Sequence, residues 1–244
     1  MNIFAIGDLH LPGGDEKPMN VFGSQWDGHW DKIRADWRER VREDDIVLIP
    51  GDISWAMKLE DALPDLRSIG ELPGRKILLR GNHDYWWGAI TRVRQILPAG
   101  MYAVQNDALM LSGIVFCGTR GWTNPQGSGD SEDARLYARE LIRLRISLER
   151  ARQLSSSGPL VAMTHYPPLG EGGVRTPVSD LLEEFSVQDV IYGHLHGASI
   201  KTAFSGTMNG VRYHFVSCDG LGFRLYQMPV CSGEEDLKSS ETAL

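Results

Sequence analysis

The chain has 244 residues, with 25 Lys and Arg against 32 Asp and Glu for a formal charge of −7, and 42% hydrophobic and 23% charged residues. That length allows one large or two small domains, and the near-average globular composition excludes a disordered, collagen-like or coiled-coil chain. The acidic balance excludes a broad basic face for nucleic acid or anionic lipid.

Short apolar runs and periodic segments then alternate along the chain. Met1 to Gly7 lacks the basic residue and the length of a secretory signal, no run approaches the roughly 20 apolar residues of a membrane span, and a cytoplasmic protein is the expectation. Ile3 to Ile6 predicts a buried strand. A helix is predicted over Trp26 to Val41, a strand over Ile46 to Ile49, and a helix over much of Leu59 to Ile69. The strand Lys76 to Leu79 precedes a helix at Ala89 to Leu97, and the strand Ile114 to Cys117 precedes a long helix from Asp130 to Leu154. Leu160 to Met163 reads as strand, Val178 to Phe185 as helix and Asp189 to Tyr192 as strand. Tyr213 to Val216 and Gly222 to Gln227 close the series as a late, antiparallel strand pair. This order predicts an α/β fold with helices packed outside sheet. No repeat or composition shift divides the chain, so residues 1–230 are expected to form one domain, with 231–244 a polar, acidic, frayed tail. Cys117, Cys218 and Cys231 have no CxxC spacing and offer neither a disulfide framework nor a thiolate metal site.

The chemistry gathers just past the end of each apolar run: Asp8-Leu9-His10, Gly51-Asp52, Gly81-Asn82-His83-Asp84, Thr164-His165 and Gly193-His194-Leu195-His196. In α/β sheets the loops past the C-terminal strand ends converge on one crevice, so residues far apart in sequence meet there. Five of the seven histidines fall in these clusters. Imidazole, carboxylate and amide donors without thiolate suit Mn, Fe, Zn, Co or Ni. Seven candidate ligands exceed one tetrahedral ion, and two divalent ions sharing a carboxylate is the simpler count.

The ordered set DxH, GD, GNHD, a lone His and GHxH resembles the calcineurin-like metallophosphoesterase superfamily. Gly51-Asp-Ile-Ser-Trp-Ala-Met57, Gly118-Thr-Arg-Gly-Trp122 and His165-Tyr-Pro-Pro168 are similar to a bacterial branch of predicted phosphohydrolases. The resemblance implies a four-layer sandwich of two mixed β-sheets flanked by helices. It also implies a binuclear site in which Asp8, His10 and His196 hold one ion, Asn82, His165 and His194 hold the other, and Asp52 bridges both. The implied activity is hydrolysis of phosphomonoesters or phosphodiesters of small molecules, with nucleotide or cyclic-nucleotide hydrolysis as an alternative on the same site. A non-catalytic interaction module is disfavoured by the intact ligand set.

His83 is the expected transition-state stabiliser or general acid, with Asp84 orienting its ring. Arg80, Arg120 and Tyr166 are candidate substrate contacts. Trp55, Trp86, Trp87 and Tyr166 come directly after the motifs, which fits either a wall for an aromatic leaving group or packing of the loops. His29 and His214 read as structural. The helix from Asp130 carries six arginines between Arg135 and Arg152 among acidic residues, the pattern of a solvated face with pairs around Glu149. The loop Gly170 to Pro177 reads as a lid or a plain connector. Two divalent ions against the carboxylates of Asp8 and Asp52 leave positive charge where a phosphate would sit, so the acidic total does not argue against a phosphate ester. The oligomeric state is left open.

Overall fold

A computed structural model describes residues 1–13, 19–125 and 131–229; the expected tail, Cys231 and Asp130 lie outside the described residues. In chain order the strands are β1 (Ile3–Ala5), β2 (Ile46–Ile49), β3 (Arg75–Leu79), β4 (Met101–Val104), β5 (Ala108–Leu111), β6 (Ile114–Thr119), β7 (Leu160–Thr164), β8 (Asp189–Tyr192), β9 (Gly206–Met208), β10 (Val211–Phe215) and β11 (Tyr226–Gln227). The helices are α1 (His29–Arg40), α2 (Leu59–Gly70), α3 (Ile90–Ile96), α4 (Glu132–Leu154) and α5 (Pro177–Glu184).

The strands form two mixed sheets, ordered β11-β1-β2-β3-β4 and β5-β6-β7-β8-β10-β9. Strands β1 to β4 run parallel, as do β6, β7, β8 and β10, and the antiparallel members β11, β5 and β9 lie at the sheet edges.

Alternation along the strands builds three cores. On β1 and β2, Phe4, Val47 and Ile49 face α1 to α3 and pack with Ile33, Trp37, Leu66 and Val93. Their neighbours Ile3, Ala5, Ile46 and Leu48 point the other way and meet Phe116, Val161, Met163 and Ile191 of the second sheet. On that sheet's far side Cys117, Ala162 and Val190 pack with Leu144, Leu148 and Leu182 of α4 and α5. Helix, sheet, sheet and helix therefore stack as four layers, as expected. Strands buried on both faces explain why the sequence shows continuous apolar runs.

Several expectations are corrected. Tyr213 to Val216 and Gly222 to Gln227 do not pair with each other. The first lies largely in β10, parallel to β8 in the second sheet, and the second contributes only β11, which borders β1 in the first. Both segments prefer to continue a sheet whose core face is already apolar over closing a hairpin of their own. The helix expected from Trp26 starts at His29, because Gly28 adopts a left-handed φ of 60° and separates it from a short 3₁₀ turn at Ser24–Trp26. Strands β4, β5 and β9 were not expected. Two of them belong to tight hairpins whose central residues, Ser112-Gly113 and Asn209-Gly210, all have positive φ, the type I′ geometry that suits strand twist. No described helix is long and apolar enough to cross a membrane.

Arg145 of the arginine-rich helix α4 grips Glu184 of α5 with two nitrogens at 2.7 and 2.8 Å and also feels the charge of Glu149, four residues on, while Arg143 pairs with Glu140 within the helix. His29 bonds the carbonyls of Leu9 and Trp26, and His214 bonds Asp189 and Tyr226, so both are structural.

Candidate active site

The C-terminal ends of β1, β2, β3, β7, β8 and β10 reach the same edge of the sandwich. Backbone bonds from Gly7 N to Val216 O and from Cys218 N to Gly7 O stitch the ends of the two sheets together there. The turns are abrupt: Asp8, His10, Asp52 and His194 all hold positive φ, between 45° and 75°. Such conformations cost about 1–3 kcal/mol each in non-glycine residues and cluster where a side chain must be aimed. Two glycines make the approach possible. A Cβ on Gly81 would lie 2.1 Å from Asp52 Oδ1, and one on Gly193 would lie 2.2 Å from Asp8 Oδ2.

The structure brings all seven expected ligands together. Asp8, His10 and His196 present atoms within 4.8 Å of one another, and so do Asp8, Asp52 and His165. His196 Nε2 lies 3.4 Å from Asp8 Oδ1 and 3.4 Å from His10 Nε2. Asn82 Oδ1 lies 2.6 Å from His165 Nε2 and 2.9 Å from His194 Nδ1, and these two nitrogens are 3.2 Å apart. Asp52 Oδ2 sits between the groups, 3.8 Å from His10 Nε2 and 3.4 Å from His165 Nε2.

This donor set fits metal cations. Imidazole nitrogens face each other and a shared amide oxygen across distances where at most some of the contacts can hold a proton. A cation would satisfy the remaining lone pairs together.

The charges are strongly perturbed. Burial lowers His10 to about 4, and burial with the neighbouring His165 lowers His194 to about 4. Burial also opposes charge on His165 and His196, but Asp52 and Asp8 raise the first to about 9, while Asp219 and Asp8 raise the second to about 10. Asp8 and Asp52 are held below the usual carboxylate range despite burial, by His196 and His165 respectively.

Asp219 is absent from the sequence-derived site and belongs in it. Its Oδ1 lies 3.0 Å from His196 Nδ1, and its Oδ2 accepts from Gly197 N. The signal was present: Ser217-Cys218-Asp219 comes after the apolar run Tyr213 to Val216 as the other site residues come after theirs.

His83 donates its backbone N–H to Asp52 Oδ1 at 2.8 Å, and its ring lies 4.6 Å from Trp55 and 5.8 Å from His10. The expected contact between Asp84 and the His83 ring is not made. Asp84 is fully buried and accepts from Ile53 N, Ser54 N, Gly81 N and Trp86 Nε1, tying the loops after β2 and β3 together. Four inward donors outcompete one neighbouring ring. Burial and the nearby Asp52 push the Asp84 carboxyl up to about 6.

A pocket of about 220 Å³ opens over the ligands, lined by His10, Met19, Trp26, Trp55, His83 and His196 together with Asp219. Trp55 stacks on His10 at 4.9 Å and forms a wall. Trp86 and Trp87 are buried beneath the loops, so the packing explanation holds for them. Tyr166 lies 4.1 Å from the His194 ring and 5.4 Å from Trp122. Arg80 and Arg120 do not line this pocket; they face a neighbouring cleft with Arg139 and Arg143.

Among solved structures, the phosphopantetheinyl hydrolase of Mycobacterium tuberculosis is similar at 15% identity, covering 100% of this chain and 98% of that one with a TM-score of 0.56. TT1561 of Thermus thermophilus is similar at 12% identity, covering 93% and 97% with a TM-score of 0.53. At such identities the likeness is one of fold. A search of curated protein sequences finds no match. The family description "Calcineurin-like phosphoesterase" matches residues 1–198, a span that contains five of the six strand ends that build the site and all seven expected ligands. The chain therefore belongs to the calcineurin-like phosphoesterase family.

Proposed function

We propose that this chain is a two-metal hydrolase of small-molecule phosphomonoesters or phosphodiesters. The observation that carries the reading is the placement of Asp52 between two facing groups of donors, His10 with Asp8 and His196 on one side, His165 with Asn82 and His194 on the other. In this reading Asp8, His10 and His196 hold one ion, Asn82, His165 and His194 hold the second, and Asp52 bridges. Bound divalent cations supply positive charge to the phosphoryl oxygens and lower the pKa of water toward neutrality. Asp52 is fixed for bridging by the His83 backbone N–H. The His83 ring lines the pocket and serves as proton or hydrogen-bond donor to a phosphoryl or leaving oxygen. Trp26, Trp55 and Met19 exclude water on the leaving-group side. These apolar walls favour a planar leaving group, an aryl alcohol or a nucleoside, as the second reading within the same chemistry.

Metal-stripped protein reloaded in turn with Mn, Fe, Zn, Co or Ni is expected to hydrolyse aryl phosphate monoesters or diesters with at least one of them. Absence of turnover with every metal and both ester classes would remove the reading.

Asp219 orients His196 from behind, as carboxylates commonly do for metal-binding histidines. Asp219→Asn is expected to weaken cation affinity by about 10–100-fold, measured as metal retained after equilibrium dialysis. Unchanged retention would make Asp219 a purely structural partner of the Gly197 turn.

A further inference from the structure

Arg80, Arg120, Arg139 and Arg143 line one cleft of about 200 Å³ at the same sheet edge as the metal-ligand cluster. They come from three places: the end of β3, the end of β6, and two positions four residues apart on α4, which share a helix face. Only one carboxylate, Glu140, lines the cleft with them. Both of its oxygens are already engaged, Oε2 by Thr119 Oγ1 at 2.5 Å and Gly121 N at 3.3 Å, Oε1 by Arg143 at 2.6 Å. Arg80, Arg120 and Arg139 have no carboxylate within 4 Å among the described residues.

Arg120 and Arg143 act on Arg80 as repelling like charges that Asp84 and Glu140 only partly offset, and an anion in the cleft would relieve that repulsion. Arg120 is held in place by its guanidinium over Trp122 at 4.7 Å and by its carbonyl, which accepts from His165 N and Tyr166 N at 3.0 Å each. The cleft thus shares backbone with the metal-ligand cluster: Arg80 stands two residues before Asn82, and Arg120 bonds the backbone of His165. Planar guanidinium forks at several angles around a small volume match the oxygens of a phosphate group.

We propose that this cleft is a second phosphate-binding site, separate from the metal-ligand cluster. The phosphate has two chemical sources: a distal phosphate of the substrate, which rests on the phosphoesterase reading, or a free phosphate or pyrophosphate anion, which does not.

Inorganic pyrophosphate titrated calorimetrically into the metal-loaded protein is expected to bind at two sites, and Arg139→Glu to weaken one of them at least tenfold. Arg139 is exposed and makes no bond that the fold depends on; Arg120→Ala is the second variant, expected to act on the same site. In parallel, the ratio of kcat/KM for adenosine 3′,5′-bisphosphate to that for an aryl phosphate separates the sources. A ratio that falls at least tenfold in Arg139→Glu identifies the substrate's own distal phosphate, and an unchanged ratio beside weakened pyrophosphate binding identifies a free anion. Pyrophosphate binding within twofold of the unsubstituted protein in both variants would overturn the proposal. Failure of the phosphoesterase reading would look different: neither ester would turn over, while the pyrophosphate titration would still report on the cleft.

Discussion

Asp52→Asn is expected to abolish most metal retention and to lower kcat by about 10²–10³-fold, the scale on which loss of preorganised charge stabilisation acts. Asp52 is buried and lies within 3.8 Å of His10 and 3.4 Å of His165. In the proposed centre it is the one group that both ions share. Asparagine keeps its size, its amide oxygen can still accept the His83 N–H, and it tolerates the left-handed φ of 51° at this position. The fold of the ion-free protein should therefore survive. Removing the Asp52 charge also relieves its repulsion with Asp84, whose carboxyl it helps to push up. The variant should be folded by circular dichroism, poor in metal by elemental analysis, and nearly inactive. Metal content close to that of the unsubstituted protein would mean that Asp52 is not the bridge.

His83→Ala is expected to separate binding from turnover. The contact by which residue 83 steadies Asp52 runs through the backbone N–H, which alanine retains. The ring is not among the groups whose atoms crowd together as ligands. Metal content should stay near that of the unsubstituted protein while kcat falls by about 10²–10⁴-fold, the range for a positioned acid or base. Elemental analysis beside steady-state kinetics checks both halves at once, and loss of both ions would move His83 into the ligand set. Its neighbour Asp84 should behave differently. It anchors three backbone N–H groups and the Trp86 indole, so its removal acts on loop structure first.

The contrast between His83 and Asp84 marks where sequence reasoning stops. Adjacent residues in Asn82-His83-Asp84 suggested a pair, but direction is decided by which unsatisfied donors lie within reach. Three inward N–H groups and an indole decided it for Asp84. That the seven candidate ligands meet at one place was legible for a geometric reason: parallel strands buried on both faces show as unbroken apolar runs, and polar residues just past their ends share one sheet edge. The same rule applied to Tyr213 to Val216 leads to Asp219. That step was lost because the segment was paired with Gly222 to Gln227, and pairing depends on partners far away in sequence. The hairpins β5–β6 and β9–β10 turn on two residues each, Ser112-Gly113 and Asn209-Gly210; Asn-Gly is itself a type I′ signal, so the second turn was legible in the sequence, while Ser-Gly is a weaker mark. Of the arginine cleft only Arg80 and Arg120 stood out in the sequence, as candidate substrate contacts, and their company with Arg139 and Arg143 did not. Arg80, Arg120, Arg139 and Arg143 come together only when α4 packs on the second sheet beside the end of β3.

The central claim is that two ions held by these residues make the chain a phosphoesterase. Its most direct test is hydrolysis of an aryl phosphate monitored during titration of divalent metal into the stripped protein, with bound metal measured in the same samples. Activity should be absent under chelation and should rise to a plateau as occupancy approaches about two ions per chain. Turnover that persists under chelation, or full occupancy without turnover of any phosphate ester, would contradict the account.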